Sequence, residues 1–289
     1  MKKITIINAC TELGVSVNGA SQGPIELTKN LNNENIEEII TLIANNENKE
    51  YEKENRKKNL EELKKYNNEL YNKTKEVINK GNFPLTLGGD HSLAVATVLA
   101  SSTVNGKIGV IWIDAHGDFN TFDTTITGNI HGLPLAAITG YEQKELTEFN
   151  KENYIDPKNT VIVGGRDIDP LEIENIKEAG VTLFTTEDIK KYGMKEIMSQ
   201  SIEIASNGTE GIHISYDLDV IDPKFAPGVS IPAINGISIE EAYEALESII
   251  ENNDKVKSLD LIEFNPNRDV DNKTEEIALK ILNDLINNI

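Results

Sequence analysis

Apolar residues fall along this chain in two alternating patterns. Short runs rich in Val, Ile and Leu are separated by longer stretches whose apolar positions recur every three or four residues. The first pattern suits buried strands and the second amphipathic helices, so their alternation from end to end is the signature of βαβ units around a parallel sheet. It predicts strands over Lys3–Asn8, Glu38–Ile43, Phe83–Leu87, Ile108–Ile113, Thr160–Val163, Val181–Phe184, Gly211–Tyr216 and Lys257–Ile262. Helices are predicted over Pro24–Leu31, Glu52–Lys80, Ser92–Ser101, Pro170–Ala179, Glu187–Lys191, Lys195–Ser206, Ile239–Glu251 and Thr274–Asn287. No Pro/Ser-rich linker or internal repeat interrupts them. The simplest architecture is one doubly wound α/β domain over residues 1–289, with a mainly parallel sheet of about eight strands flanked by helices.

The stretch from Asn45 to Lys80 is dense in Asn, Glu and Lys and could pass for a solvated charge run. Leu60, Leu63, Leu70 and Val77 recur at spacings of three and seven, which reads as a long surface helix with one apolar stripe. The repeat is too short to favour a coiled coil.

Composition narrows the function. Forty-eight acidic against 28 basic residues give a formal charge of -20, which argues against nucleic-acid or anionic-membrane partners, since both need a basic footprint. Small cationic substrates remain compatible. The single cysteine, Cys10, excludes an intramolecular disulfide and fits a reducing compartment. Its place after the first strand suggests a small buried side chain. The N-terminal apolar run is too short for a signal peptide, and no run approaches the roughly 18 apolar residues of a membrane span. A soluble cytoplasmic protein is expected.

The chemistry gathers where strands end. Only four histidines occur, at positions 91, 116, 131 and 213, and the first three lie in Gly/Asp-rich turns. Leu87-Gly88-Gly89-Asp90-His91-Ser92 joins a strand to a helix, where open α/β sheets place ligands; a glycine turn with an Asp helix cap would give the same string. Trp112-Ile113-Asp114-Ala115-His116-Gly117-Asp118 follows a strongly apolar strand. In extended conformation its Asp, His and Asp would project to one side, where two carboxylates and an imidazole call for a cation. Ser215-Tyr216-Asp217-Leu218-Asp219 ends another apolar strand, and two same-side carboxylates there cost several kcal/mol to desolvate unless a metal or hydrogen bonds compensate. The candidate metal ligands are therefore His91, Asp114, His116, Asp118, Asp217 and Asp219, whose four negative charges balance two divalent cations. Oxygen and nitrogen donors without thiolate suit Mn²⁺ better than a soft-ligand zinc site. Two metals roughly 3.5–4 Å apart can share a water and lower its pKa towards about 7, presenting hydroxide for hydrolysis.

Together these strings resemble the ureohydrolases, a family of binuclear manganese hydrolases that includes arginases, agmatinases, guanidinobutyrases and formimidoylglutamases. The resemblance runs over nearly the whole chain and takes in Gln22-Gly23-Pro24 and Glu263-Phe264-Asn265-Pro266. It implies that the six ligands hold two Mn²⁺. The run from Asp118 through Asn120, Thr127, Asn129 and His131 to Gly132 is similar to the arginase loop, which implies that Asn120, Thr127 and Asn129 bind the substrate α-carboxylate. No Lys or Arg occurs between Asp114 and Gly140, leaving neutral amides and hydroxyls as donors to that anion. Arg166-Asp167-Ile168-Asp169-Pro170-Leu171-Glu172 resembles the segment that engages the α-ammonium group, here through Asp169 and Glu172. Both carboxylates also suit a helix N-terminus beside Pro170.

The implied activity is hydrolysis of L-arginine to L-ornithine and urea. Asp118 would orient the metal-bridging hydroxide, Glu263 would hold the guanidinium by charge-assisted hydrogen bonds, and His131 would shuttle the proton to the departing amine. His213, inside a strand, reads as structural. One departure from the pattern concerns Ser230-Ile231-Pro232, where arginases carry Gly-Thr-Pro: Ile231 lacks the polar contact of a threonine, which bears on substrate preference or rate. An agmatinase, or a related ureohydrolase on another guanidino substrate, is the enzymatic alternative. A catalytically weak metal- or amino-acid-binding homologue is the other. A dinucleotide site is disfavoured because no Gly-x-Gly-x-x-Gly follows the first strand. The resemblance also implies a homo-oligomer, a hexamer in bacterial members.

Overall fold

The computed structural model describes residues 2–46, 56–141, 144–150 and 153–289. Its centre is a sheet of β1 (Ile4–Cys10), β2 (Ile36–Ile43), β3 (Phe83–Gly88), β4 (Gly109–Ile113), β5 (Thr160–Gly165), β6 (Thr182–Thr185), β7 (Ile212–Asp217) and β8 (Val256–Ile262). The eight strands lie in the order β2-β1-β3-β8-β7-β4-β5-β6, and every neighbouring pair is parallel. The interior strands β1, β3, β4, β5 and β7 are buried along their whole length, and β8 at all but Lys257, as a sheet covered on both faces requires. Edge strand β2 instead exposes Glu37 and Glu38, charges that discourage pairing with another sheet.

The helices are α1 (Gly23–Thr28), α2 (Leu60–Asn79), α3 (Ala94–Asn105), α4 (Pro134–Ile138), α5 (Pro170–Ala179), α6 (Thr186–Tyr192), α7 (Met194–Ser206), α8 (Ile239–Glu251) and α9 (Lys273–Asn288). They close two cores, one per face. Along β4, Ile111 and Ile113 join the core under α7, α8 and α9, whereas Val110 and Trp112 join the one under α2, α3 and α4. The two-residue repeat of a strand thus feeds both layers of a doubly wound fold. Among the described residues, no helix is long and apolar enough to cross a membrane.

Three helices differ from the sequence expectation. α1 stops at Thr28, whose hydroxyl donates back to the Pro24 carbonyl while a turn brings the Leu31 N–H to the Thr28 carbonyl. The stretch predicted as Glu52–Lys80 starts its helix at Leu60, after a bend at Asn59 with φ +58°; residues 52–55 of that expectation lie outside the described residues. Of its stripe, Leu63, Leu70 and Val77 are buried and Leu60 is half-buried. α4 was not anticipated at all. Its residues are buried on every side, so no polar face supplies a helical period to read.

The strand order decides where the site sits. β3, β8, β7 and β4 are successive neighbours, so the turns leaving their carboxyl ends meet at one edge of the sheet although they are far apart in the chain.

Candidate metal centre and substrate pocket

His91 enters the site from the turn after β3. A Cβ on Gly89 would stand 1.8 Å from the Thr11 carbonyl oxygen, so only glycine lets the two backbones pass. Asp90 is the turn's cap: it accepts the Ser92 N–H and hydroxyl on one oxygen and the Gly14 N–H on the other. The aspartate thus caps the turn, and the histidine faces the carboxylate cluster.

The His91 ring stacks on Trp112 with centroids 3.9 Å apart and an interplanar angle of 3°. Its Nε2 is 2.8 Å from the Ser215 hydroxyl, which orients Nδ1 towards three carboxylates. Nδ1 lies 2.9 Å from Asp114 Oδ2, 3.0 Å from Asp118 Oδ2 and 3.2 Å from Asp217 Oδ2. The other oxygen of Asp114 is 3.3 Å from His116 Nδ1, which is 3.0 Å from Asp219 Oδ2. Asp114 thus belongs to two donor groups, His91–Asp114–Asp118 and Asp114–His116–Asp219, each compact enough to surround one cation.

The route to this convergence corrects the sequence expectation. β4 ends at Ile113 and the chain turns at once rather than continuing extended. Asp118 reaches the cluster through a left-handed backbone, φ +48°, and Asp219 sits in a tight turn after β7, its N–H donated to Asp217 Oδ1 at 2.7 Å. Strand pleating alone would not bring these oxygens together.

The cluster's electrostatics fit a cation. His91 Nδ1 and Asp118 Oδ2 are buried without a hydrogen-bond partner, a ring lone pair and a carboxylate aimed at the same space. Burial, with repulsion from Asp219 and Asp114, lifts Asp217 well above the usual carboxylate range, and burial and Asp114 carry Asp219 to about 6. Asp114 goes the other way: burial opposes its ionisation, but His116 and His91 hold it low. Burial disfavours charge on His91 and His116 too, yet their carboxylate neighbours raise both. Groups that bind protons this tightly on converging oxygens are those from which a divalent cation displaces protons.

A cavity of about 170 Å³ adjoins the cluster, with His116 and Asp118 in its wall. Asn120, Thr127 and Asn129 line one part, Asp169 and Glu172 another, and His131, Ile231 and Asp167 also face it. Asn129 Oδ1 accepts the Ser16 hydroxyl at 2.6 Å and Lys58 Nζ at 3.3 Å, which leaves its amide N–H groups for an occupant. Asn120 accepts from the Thr124 hydroxyl and donates to Asp169 at 3.2 Å. The donors this loop turns to the cavity are neutral, and the fold places buried Lys58 behind them.

Asp169 and Glu172 form a capping box at the start of α5. Glu172 accepts the Phe119 N–H at 2.7 Å and the Asp169 N–H at 3.1 Å, so it joins the substrate loop to the helix. Burial raises its pKa to about 8, against the lowering effect of the Phe119 N–H.

Glu263 closes β8 in a left-handed conformation, φ +66°. One oxygen accepts the His91 N–H at 2.9 Å and lies 3.7 Å from His131 Nδ1, while the other is buried without a partner. Glu263 is not on the cavity wall; it stands behind His91 and His131. Burial opposes protonation of His131, but the Glu263 carboxylate outweighs it and raises the pKa. Two non-glycine residues held at positive φ within one site, Asp118 and Glu263, mark strain that the surrounding fold sustains.

Other positions hold the frame. His213 is fully buried between Ser258 and Asp260, 2.7 and 3.1 Å away, as a structural residue should be. A Cβ on Gly23 would stand 2.3 Å from the Phe264 carbonyl oxygen, so Gln22-Gly23-Pro24 and Glu263-Phe264-Asn265-Pro266 pack against one another. Two contributors escaped the sequence reading. Ser215 orients His91, and its signal was its place two residues before Asp217. Arg166 donates to the carbonyls of Gly164, Asp219, Ala233 and Ile234, clamping the segment that carries Ile231; only its neighbourhood to Asp167 and Asp169 hinted at it.

Known proteins resemble this chain in sequence and fold. Residues 2–287 match the model of the arginase family. The arginase of Bacillus caldovelox is 35% identical over 99% of this chain and 98% of its own length, and its native structure superposes with a TM-score of 0.91. An Entamoeba histolytica arginase solved in complex with L-ornithine is 31% identical, covers 99% of this chain and 98% of its own, and gives a TM-score of 0.88. A hypothetical agmatinase from Burkholderia thailandensis, 20% identical over 99% of this chain and 85% of its own, shares the fold with a TM-score of 0.76. With the family match and the B. caldovelox likeness both extending over nearly every residue, this chain belongs to the arginase family.

Proposed function

We propose that this chain hydrolyses L-arginine to L-ornithine and urea, using two Mn²⁺ ions held by His91, Asp114, His116, Asp118, Asp217 and Asp219. The observation that carries the reading is a cavity with three kinds of wall. Amide and hydroxyl donors on Asn120, Thr127 and Asn129 suit an α-carboxylate, Asp169 and Glu172 suit an α-ammonium, and the donor cluster beside Asp118 suits attack on a guanidinium. The L-ornithine complex of the E. histolytica relative supports an amino-acid product in the same fold.

The two donor groups, His91–Asp114–Asp118 and Asp114–His116–Asp219, would hold divalent cations, which when bound would lower the pKa of a water towards about 7. Asp118 lies both in the cluster and on the cavity wall, and is the carboxylate placed to orient that nucleophile and accept its proton. Glu263 stands behind His91 and His131 rather than on the wall, and on the family resemblance its unpartnered oxygen would accept charge-assisted hydrogen bonds from the guanidinium N–H groups. Attack on the guanidinium carbon is followed by cleavage of its bond to the δ-nitrogen. His131, on the wall and kept basic by Glu263, delivers the proton that lets the amine leave. Urea departs as the second product.

Ile231 on the cavity wall supports a second reading, a protein that binds metal and arginine but turns over slowly. Measuring urea release from arginine, agmatine and guanidinobutyrate with and without Mn²⁺ tests both. Arginine should be preferred by more than about tenfold, the worth of one hydrogen bond to a charged group. Preference for agmatine would overturn the arginine assignment, and tight arginine binding without urea would favour the slow binder. A cytoplasmic location is proposed on the single cysteine, which fits a reducing compartment, and a homo-hexameric assembly on the family resemblance, which light scattering checks.

A further inference from the structure

We infer that Ile231 takes the hydrocarbon chain of the substrate out of water and so sets how strongly the cavity discriminates between ligands by their methylene number. This role rests on the reading that an α-amino acid with a guanidinium end occupies the cavity. Such a molecule is charged at both ends and hydrocarbon between them. Among the described residues that line the cavity, Ile231 has the one wholly hydrocarbon side chain; Gly132 apart, the others carry a carboxylate, imidazole, amide or hydroxyl. The polar wall serves the two ends, and the middle of the chain has its apolar contact in Ile231. Relative to the Gly-Thr-Pro pattern, isoleucine exchanges a hydroxyl for an ethyl group, which loses a polar contact and gains surface for methylenes.

The fold fixes this side chain from both flanks. On one, Val229 forms an antiparallel bridge with Phe264, and the Asn265 amide donates to the Ser230 hydroxyl at 3.2 Å. On the other, Arg166 donates to the carbonyls of Ala233 and Ile234 at 2.9 and 3.2 Å. Ser230 and Ala233 are buried, whereas Ile231 between them is half-buried. A proline restricts the residue before it to extended backbone, as Pro232 does here, and a β-branched side chain has little freedom at χ1. Ile231 is therefore a preset apolar surface, and contact with it orders little of the protein. Each methylene that leaves water against it should gain about fourfold in affinity. Arginine and agmatine share this gain because both carry methylenes, in contrast to the carboxylate contact of Asn129, which agmatine cannot use.

Calorimetric titration of the Mn²⁺-loaded protein with L-alanine, L-2-aminobutyrate, L-norvaline and L-norleucine tests this without requiring turnover, because the four share the amino-acid end and differ only in methylenes. In the unaltered protein affinity should rise by about fourfold per methylene along the series. Ile231→Ser should cut each step below about twofold, and Ile231→Val should keep most of it. If Ile231→Ser yields no folded protein, Ile231→Thr carries the same comparison. In steady-state assays Ile231→Ser should lower kcat/KM for arginine and agmatine alike, by about four- to tenfold. Steps as steep in Ile231→Ser as in the unaltered protein, or a loss confined to arginine, would overturn the role of Ile231 and leave the amino-acid reading of the cavity standing. If none of the four binds the unaltered protein, that reading itself fails and the role of Ile231 falls with it.

Discussion

Replacing Glu172 by glutamine should change stability in opposite directions at low and high pH. The side chain is 3% exposed, and burial raises its carboxyl from 4.5 to about 8. Between those values the folded protein keeps a proton that the unfolded chain has released. Its contribution is therefore complete below about 4.5, declines as pH rises, and is lost above about 8, a total of roughly 5 kcal/mol. Glutamine never ionises, so it removes this decline. It also accepts only one of the two N–H groups that Glu172 takes from Phe119 and Asp169, and stranding the other costs about 1–3 kcal/mol. Near pH 5 the stranded donor dominates and Glu172→Gln should be less stable by about 1–2 kcal/mol. By pH 9 the abolished ionisation dominates and the variant should be more stable by about 2–4 kcal/mol. Urea denaturation in EDTA at the two pH values reads both numbers, chelation being needed because cations beside Asp118 would favour the ionised carboxylate. A variant equally destabilised at both would refute the argument, since a capping loss alone does not depend on pH.

Asn129→Ala should lower kcat/KM for arginine by about one to two decades while leaving agmatine nearly unchanged, as steady-state assays of both substrates will show. Ser215→Ala removes the hydroxyl that orients His91 at 2.8 Å and should weaken Mn²⁺ affinity about 10- to 100-fold in a competition titration, with the fold intact by circular dichroism. Adding Mn²⁺ to chelated protein at about 100 times its Kd should stabilise it by about 2.7 kcal/mol. The rise in Tm should be larger at pH 8 than at pH 5.5, because Asp217 and Asp219, raised by burial, hold competing protons at the lower pH; a Tm indifferent to Mn²⁺ would refute the cluster's assignment.

The strands and the donor residues were legible in the sequence for a common reason. A strand buried on both faces is largely apolar, so polar residues that end it, such as Asp114 after Ile113 or Asp217 after Tyr216, stand out by contrast. The ligands sit within a few residues of those ends, and short local strings suffice to carry them. Even there the path was misjudged. Asp118 arrives through a left-handed turn and Asp219 through a tight one, geometries that depend on what the turn packs against.

What the tertiary structure decided is everything made by distant partners. Nothing in Arg56-Lys57-Lys58 marks its last lysine for burial; that depends on where the start of α2 falls relative to a loop some 70 positions later. The four carbonyls gathered by Arg166 and the Oδ1 of Asn129 shared by Ser16 and Lys58 are equally invisible along the chain. α4 left no periodic signal because all its sides are covered. Apolar periodicity reports whether a residue is inside, and local strings report chemistry at the ends of strands. Which polar groups meet there is set by strand order, because the β3-β8-β7-β4 neighbourhood brings turns from opposite ends of the chain to one edge.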